Sequence, residues 1–176
     1  LGRAVRRLSA ILPQEAAGIG RLAAGIEEAL RRLPPAAPVL VHGDFYEDQI
    51  LLDRRAGPAL LDWDEAALGP PSLDAACWLA HARAAALEAE PAPVSAEAIR
   101  EAWLALRPAE RRPLAVLSSL QLLALAVGPF RRLEPDWPRA VRRRLDQVDK
   151  ALREAEAVTF PAARRPLVQS TPLPEG

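Results

Sequence analysis

Val39-Leu-Val-His-Gly-Asp-Phe-Tyr-Glu-Asp-Gln-Ile-Leu-Leu-Asp53 decides how this chain reads. A histidine and an aspartate, His42 and Asp44, fall in a short polar loop between two apolar, strand-like runs. A third run, Ala59-Leu-Leu-Asp-Trp-Asp64, follows and ends in a second acidic pair. Short strands that deliver carboxylates to one polar loop can hold a divalent cation and a proton acceptor in one cleft. Ile50–Leu52 and Ala59–Leu61 are joined by Arg54-Arg-Ala-Gly57-Pro58, a turn-rich link that predicts a hairpin. Val39–Val41 reads as a short buried strand.

Helical signals flank this segment. Leu1–Leu12 carries apolar residues at Leu1, Val5 and Leu8 and stops at Pro13. Gln14–Leu33 repeats Ile19, Leu22, Ile26 and Leu30 at helical spacing, and Pro34-Pro35 ends it. Ser72 is placed to N-cap a helix running to about Glu90, broken by Pro91–Pro93. Ser95 caps the next, through Leu106. An apolar helix spans about Leu114–Val127 and ends at Gly128-Pro129, and a basic amphipathic helix follows Glu134–Pro138 to about Ala157. The fold class is α+β, predominantly helical, with a small β-hairpin carrying the acids. Residues 1–160 form one lobe, and 161–176, rich in proline, is expected to be a disordered tail.

Composition narrows the function classes. The chain has 176 residues, 50% hydrophobic and 26% charged, with formal net charge +0. Nothing in that balance calls for nucleic acid or an anionic membrane as partner. One cysteine, Cys77, excludes an internal disulfide and suits a reducing, cytoplasmic setting. The Leu114–Val127 stretch contains Ser118, Ser119 and Gln121 and is shorter than the ~20 residues that span a bilayer, so a buried core helix is its reading. A start at Leu1 with no methionine in the sequence leads to the expectation of a fragment or a processed product.

The motif His42-Gly43-Asp44, four residues, Gln49, then Asp62-Trp63-Asp64 resembles the catalytic and metal-binding loops of the aminoglycoside phosphotransferase and choline kinase superfamily, a branch of the protein-kinase-like fold. The resemblance implies the carboxyl-terminal lobe of such an enzyme. The amino-terminal nucleotide lobe, with its twisted sheet and phosphate-contacting lysine, is not recognisable, and the sole lysine, Lys150, lies on a late helix. It further implies phosphoryl transfer from ATP or GTP to a hydroxyl of a small molecule such as an aminoglycoside, a sugar or choline. Asp44 takes the place of the catalytic base. Asp62 takes that of the main Mg²⁺ ligand, Gln49 stands where the family usually has asparagine, and Asp64 is a further metal-site candidate. His42 and Asp74 fall at positions that support the catalytic loop. In Gly69-Pro-Pro-Ser-Leu-Asp74 the family's Gly-Asp-Pro is altered, with Pro70 replacing the first aspartate. The acceptor pocket is expected in the helices after Ser72. Without a second lobe, apolar surface around the strands would be exposed and prone to associate.

Two other functions compete: a non-catalytic kinase-like module that binds a partner, and a metal-dependent hydrolase using Asp44, Asp62 and Asp64. Weaker signals resolve to packing. Gly18-Ile-Gly20 sits inside a helical pattern, so small residues in a helix contact explain it better than dinucleotide binding. Cys77 and His81 share one helix face at ligand spacing, but without a second cysteine a packed face is the simpler account. Arg142-Arg143-Arg144 reads as a solvated face. Trp78, Trp103 and Trp137 read as core or helix-junction residues.

Overall fold

In a computed structural model, residues 1–88 and 95–158 are described. The helix break at Pro91–Pro93 and the tail 161–176 lie outside them. The order is α1 (Gly2–Ile11), a 3₁₀ turn at Pro13–Glu15, α2 (Ala16–Arg31), β1 (Val39–Val41), a 3₁₀ turn at Glu47–Gln49, β2 (Ile50–Asp53), β3 (Gly57–Leu60), a 3₁₀ turn at Trp63–Glu65 and β4 (Ala67–Gly69). There follow α3 (Leu73–Ala85), α4 (Ala96–Leu106), α5 (Arg111–Leu125), α6 (Gly128–Arg131) and α7 (Trp137–Ala157). The chain is predominantly helical with a small β component, as the sequence implies.

The helical body is organised by α5, which packs between α3 and α7. Buried positions follow the helical repeat: Ile19, Ala23, Ile26 and Ala29 on α2, and Val141, Leu145, Val148, Ala151, Leu152 and Ala155 on α7. Leu8, Leu12, Val116, Leu122 and Leu123 complete this core, and a smaller cluster joins Ala76, Leu79, Leu104, Leu114 and Leu117. The run Pro108–Arg131 is 24 residues long and apolar enough to cross a membrane. The length argument against a span therefore fails, and the burial of Leu114, Val116, Leu117, Leu122 and Leu123 carries the core-helix reading instead.

Several local expectations are corrected. Helix α2 approaches α7 through Gly25, where an added Cβ would lie 2.7 Å from Leu152 Cδ2, while nothing lies within 4 Å of a Cβ at Gly20. The packing glycine is thus Gly25 rather than Gly18 or Gly20. Helix α5 ends at Leu125, just before Gly128-Pro129, which also opens the short α6, because proline suits a first helical turn whose N–H groups lack intrahelical partners. Ser72 stands at the N-cap of α3 without capping it; its buried hydroxyl donates to Glu110 Oε2 at 2.6 Å and accepts from Trp103 Nε1 at 3.3 Å. This ties α3, α4 and the turn before α5 together. Ser95 does cap, accepting from the Ala98 N–H at 3.2 Å. Arg144 is not on a solvated face: it is buried, donates to the Leu125 carbonyl at 2.7 Å and pairs with Glu88. Burial pushes its guanidinium pKa down to about 10, still well above neutrality, so it stays charged. Trp137 meets Phe130 edge-on at 5.0 Å, a helix junction.

Two antiparallel ladders hold the acidic loops. Strands β2 and β3 pair with Ile50 opposite Leu60 and Asp53 opposite Gly57. The turn is fixed by Asp53, whose carboxylate accepts from the Arg55 and Ala56 N–H groups, both at 2.7 Å, and by Gly57 at φ +83°. Strand β1 pairs with β4, Val39 opposite Gly69 and Val41 opposite Ala67. Strand β4 was not legible: three residues that include alanine and glycine carry little β signal. Of β1 only Val41 is buried, since Val39 and Leu40 are 39% and 67% exposed, which corrects the buried-strand expectation. Leu51, Leu52, Leu60, Leu61 and Leu68 are exposed as well.

Candidate functional site

The loop after β1 is pinned from below by α3. Asp74, in the first turn of that helix, accepts from the His42 N–H at 2.9 Å and the Gly43 N–H at 3.0 Å. Both carboxylate oxygens are used, so the loop is held at two successive amides. Gly43 has φ +89°, and a Cβ there would lie 2.4 Å from the Glu65 carbonyl oxygen. The second acidic turn therefore packs directly on the loop backbone, and only glycine fits.

His42 is buried. Its Nε2 lies 2.6 Å from the Leu61 carbonyl oxygen, an acceptor, so Nε2 carries the proton and Nδ1 is left without a partner. The ring sits 4.8 Å from Trp63 and 5.8 Å from Phe45, which meets Trp78 edge-on at 5.2 Å. These contacts link the loop, the end of β3 and helix α3.

Asp44, half-exposed, projects from this pinned loop. Its Oδ1 lies 3.9 Å from Cys77 Sγ and 4.0 Å from His81 Nε2. His81 is stacked on Tyr46, centroids 4.0 Å apart and rings 9° from parallel. Burial lowers the His81 pKa below its usual value, outweighing the nearby charges of Asp44, Glu47 and Asp48. The Cys77 thiol is pushed up to about 12, first by burial and then by the Asp44 charge. Burial, then the carboxylates of Asp44, Asp48 and Asp62, raises the Tyr46 phenol. Tyr46 therefore lies within electrostatic reach of both acidic loops.

Gln49 and Asp62 share one end of the β2–β3 hairpin. The ladder runs one step past Ile50 and Leu60, because the Leu61 N–H donates to the Gln49 carbonyl at 2.9 Å. Asp62 follows at once, in a left-handed conformation (φ 56°, ψ 64°) that non-glycine residues rarely adopt. Its carboxylate does not cap the Trp63–Glu65 turn and enters no salt bridge among the described residues. Gln49 is buried; Asp62 and Asp64 are exposed. Asp62 and Asp64 offer carboxylate oxygens and Gln49 an amide oxygen, donors of the kind a hard divalent cation such as Mg²⁺ takes. Asp64 sits in the same 3₁₀ turn.

Sequence reasoning missed Tyr46, Cys77 and His81 as neighbours of Asp44. The Cys77–His81 spacing was the available signal, but the third member is 33 residues away from Cys77. A cavity of about 340 Å³ does form among helices after Ser72, lined by Leu79, Arg83, Arg100, Leu104 and Glu154. It lies across α3 from Asp44: Leu79 and Arg83 line it, whereas Cys77 and His81 approach the loop.

A family model described as the phosphotransferase enzyme family matches residues 2–114, more than half of the 176. No curated protein and no solved structure matches the chain. The matched span runs from α1 through the loop, both ladders, α3 and α4 to the start of α5, and so contains every site residue above. With the loop geometry and the family match in agreement, the chain belongs to the phosphotransferase enzyme family, of the aminoglycoside phosphotransferase, protein-kinase-like type.

Proposed function

We propose that this chain transfers the γ-phosphoryl group of a nucleotide, ATP or GTP, to a hydroxyl of a small molecule, with Asp44 as the base and Mg²⁺ held by Asp62 and Gln49, assisted by Asp64. The observation that carries this reading is the hairpin register that sets Gln49 beside Asp62, next to a loop whose Asp44 is fixed through Asp74. When bound, the cation would neutralise charge on the phosphate oxygens.

Asp44 is half-exposed, so an acceptor hydroxyl can reach it. Its carboxylate would orient that hydroxyl and take its proton as the oxygen–phosphorus bond forms. Asp74 and Gly43 hold the loop so that Asp44 does not drift. Neutral His81, 4.0 Å from Asp44, adds no positive charge that would weaken the base. The single buried thiol accords with a cytoplasmic setting. Acceptor candidates are aminoglycosides, sugars, choline-like alcohols and other metabolites.

The test is titration calorimetry of the chain with Mg²⁺–ATP, followed by a screen of hydroxyl acceptors for transfer. Asp62→Asn should abolish binding. Asp44→Asn should keep binding and lose about 10²–10⁴-fold in transfer rate. A folded wild-type chain that binds no Mg²⁺–ATP would overturn the proposal and favour a non-catalytic partner-binding lobe. Phosphoester hydrolysis without nucleotide would favour the hydrolase.

A further inference from the structure

We propose that Asp44, Cys77 and His81 form a second cation site, selective for a borderline divalent metal of the Zn²⁺ class and distinct from the all-oxygen site at Asp62. One ligand atom from each of the three lies within 4.8 Å of the others. Among the described residues this is the group of three His, Cys, Asp or Glu side chains so placed. Cys77 and His81 stand one helical turn apart on α3, and the loop brings Asp44 over them. Two features prepare the site. The Tyr46 stack fixes the imidazole plane. Asp44, Glu47 and Asp48 place negative charge around His81, against one positive neighbour, Arg144. Glu47 Oε2 is itself buried with no hydrogen-bond partner.

The donor set decides the metal. A thiolate and an imidazole select zinc, cobalt or copper over magnesium, and three protein ligands leave a fourth position for water. Tetrahedral Zn²⁺ bonds of about 2.0–2.3 Å set ligand atoms roughly 3.3–3.5 Å apart. The Asp44 contacts at 3.9 and 4.0 Å need about 0.5 Å of closure, which the half-exposed carboxylate can supply by rotation, and Cys77 and His81, within 4.8 Å of each other, close by side-chain rotation on binding. On binding, the Cys77 thiol gives its proton to solvent and the sulfur lone pair forms the metal bond. No redox partner is required.

A consequence rests on the proposed role of Asp44 as base: occupancy of this site ties up the carboxylate and blocks phosphoryl transfer without touching the Mg²⁺ site. Zn²⁺ should then inhibit non-competitively with Mg²⁺.

The experiment is Co²⁺ titration of the full chain followed by absorption, with Zn²⁺ as displacing metal. Wild type should show a near-ultraviolet thiolate-to-cobalt band and visible bands of a four-coordinate ion, both lost on adding Zn²⁺. Cys77→Ser should lose the near-ultraviolet band, and His81→Gln should weaken Co²⁺ binding at least about tenfold, with circular dichroism confirming that each is folded. Asp62→Asn should behave as wild type. Absence of the band in wild type, its persistence in Cys77→Ser, or its loss in Asp62→Asn would overturn the site. If the band forms but Zn²⁺ leaves transfer unchanged, the site stands and the role of Asp44 as base fails.

Discussion

Replacing Asp74 with alanine removes the strut that carries the His42–Asp44 loop. Two charge-assisted hydrogen bonds disappear, at 2.9 and 3.0 Å, and the N–H of buried His42 loses its acceptor. Such bonds contribute about 1.5–3 kcal/mol each, and Asp74 is only partly buried, so about 3 kcal/mol for the pair is the working value. For a chain of this length that corresponds to a Tm lowered by roughly 6–12 °C. Asp74→Asn keeps one oxygen acceptor but turns an NH₂ group towards the other amide, and should cost about 2 kcal/mol. Urea unfolding followed by circular dichroism gives both free energies, and transfer assays on the same samples below the transition show whether Asp44 has lost its placement. An alanine variant within about 0.5 kcal/mol of wild type would mean that water replaces both bonds and that α3 does not hold the loop.

Three further outcomes follow from the same geometry. Gly43→Ala should cost at least about 2 kcal/mol and abolish transfer, because φ +89° strains any L-residue and the Glu65 carbonyl leaves no room for a Cβ; thermal unfolding and activity check this. His81, whose pKa is lowered by burial, binds fewer protons folded than unfolded as pH falls below about 6.5. Stability should therefore decline on acidification through that window, and His81→Gln should flatten the slope of unfolding free energy against pH. With its thiol pushed up to about 12 from 9.0, Cys77 should react with a disulfide reagent at pH 8 roughly a thousandfold more slowly than in the unfolded chain, measured by thiol release with and without denaturant.

What the sequence disclosed and what it hid divide along the range of the interactions. The hairpin was legible because Arg54–Pro58 is a local turn between two apolar runs, and its register needs only nearby residues. The α2 and α7 faces were legible because burial repeats within each helix. Strand β4 was hidden because its partner is β1, a pairing of Val41 with Ala67 that no local signal announces. The role of Ser72 was hidden because its hydroxyl prefers Glu110, 38 residues away, to the α3 terminus. Arg144 was misread because three successive arginines look alike in sequence, while only one faces the Leu125 carbonyl. At the site, the motif placed Asp44, Gln49 and Asp62 on neighbouring loops, but the company Asp44 keeps, Cys77, His81 and Tyr46, comes from the folded arrangement of α3 against the loop.

The β2–β3 hairpin contributes almost no buried side chain; Leu51, Leu52, Asp53, Ala59 and Leu60 are all exposed. Its ladder is therefore held mainly by its own hydrogen bonds, while the helical body is held by a continuous apolar core. Segments of that kind open in sub-global fluctuations at far lower free energy than the whole molecule. Amide hydrogen exchange should accordingly be faster at Leu51 and Leu61, whose N–H groups face the partner strand, than at Val116 or Val148. Because Gln49 and Asp62 close the same end of that hairpin, any cation bridging them would slow exchange along the ladder. The hairpin amides thus act as a built-in reporter of occupancy, one that needs neither an acceptor substrate nor a measurement of turnover.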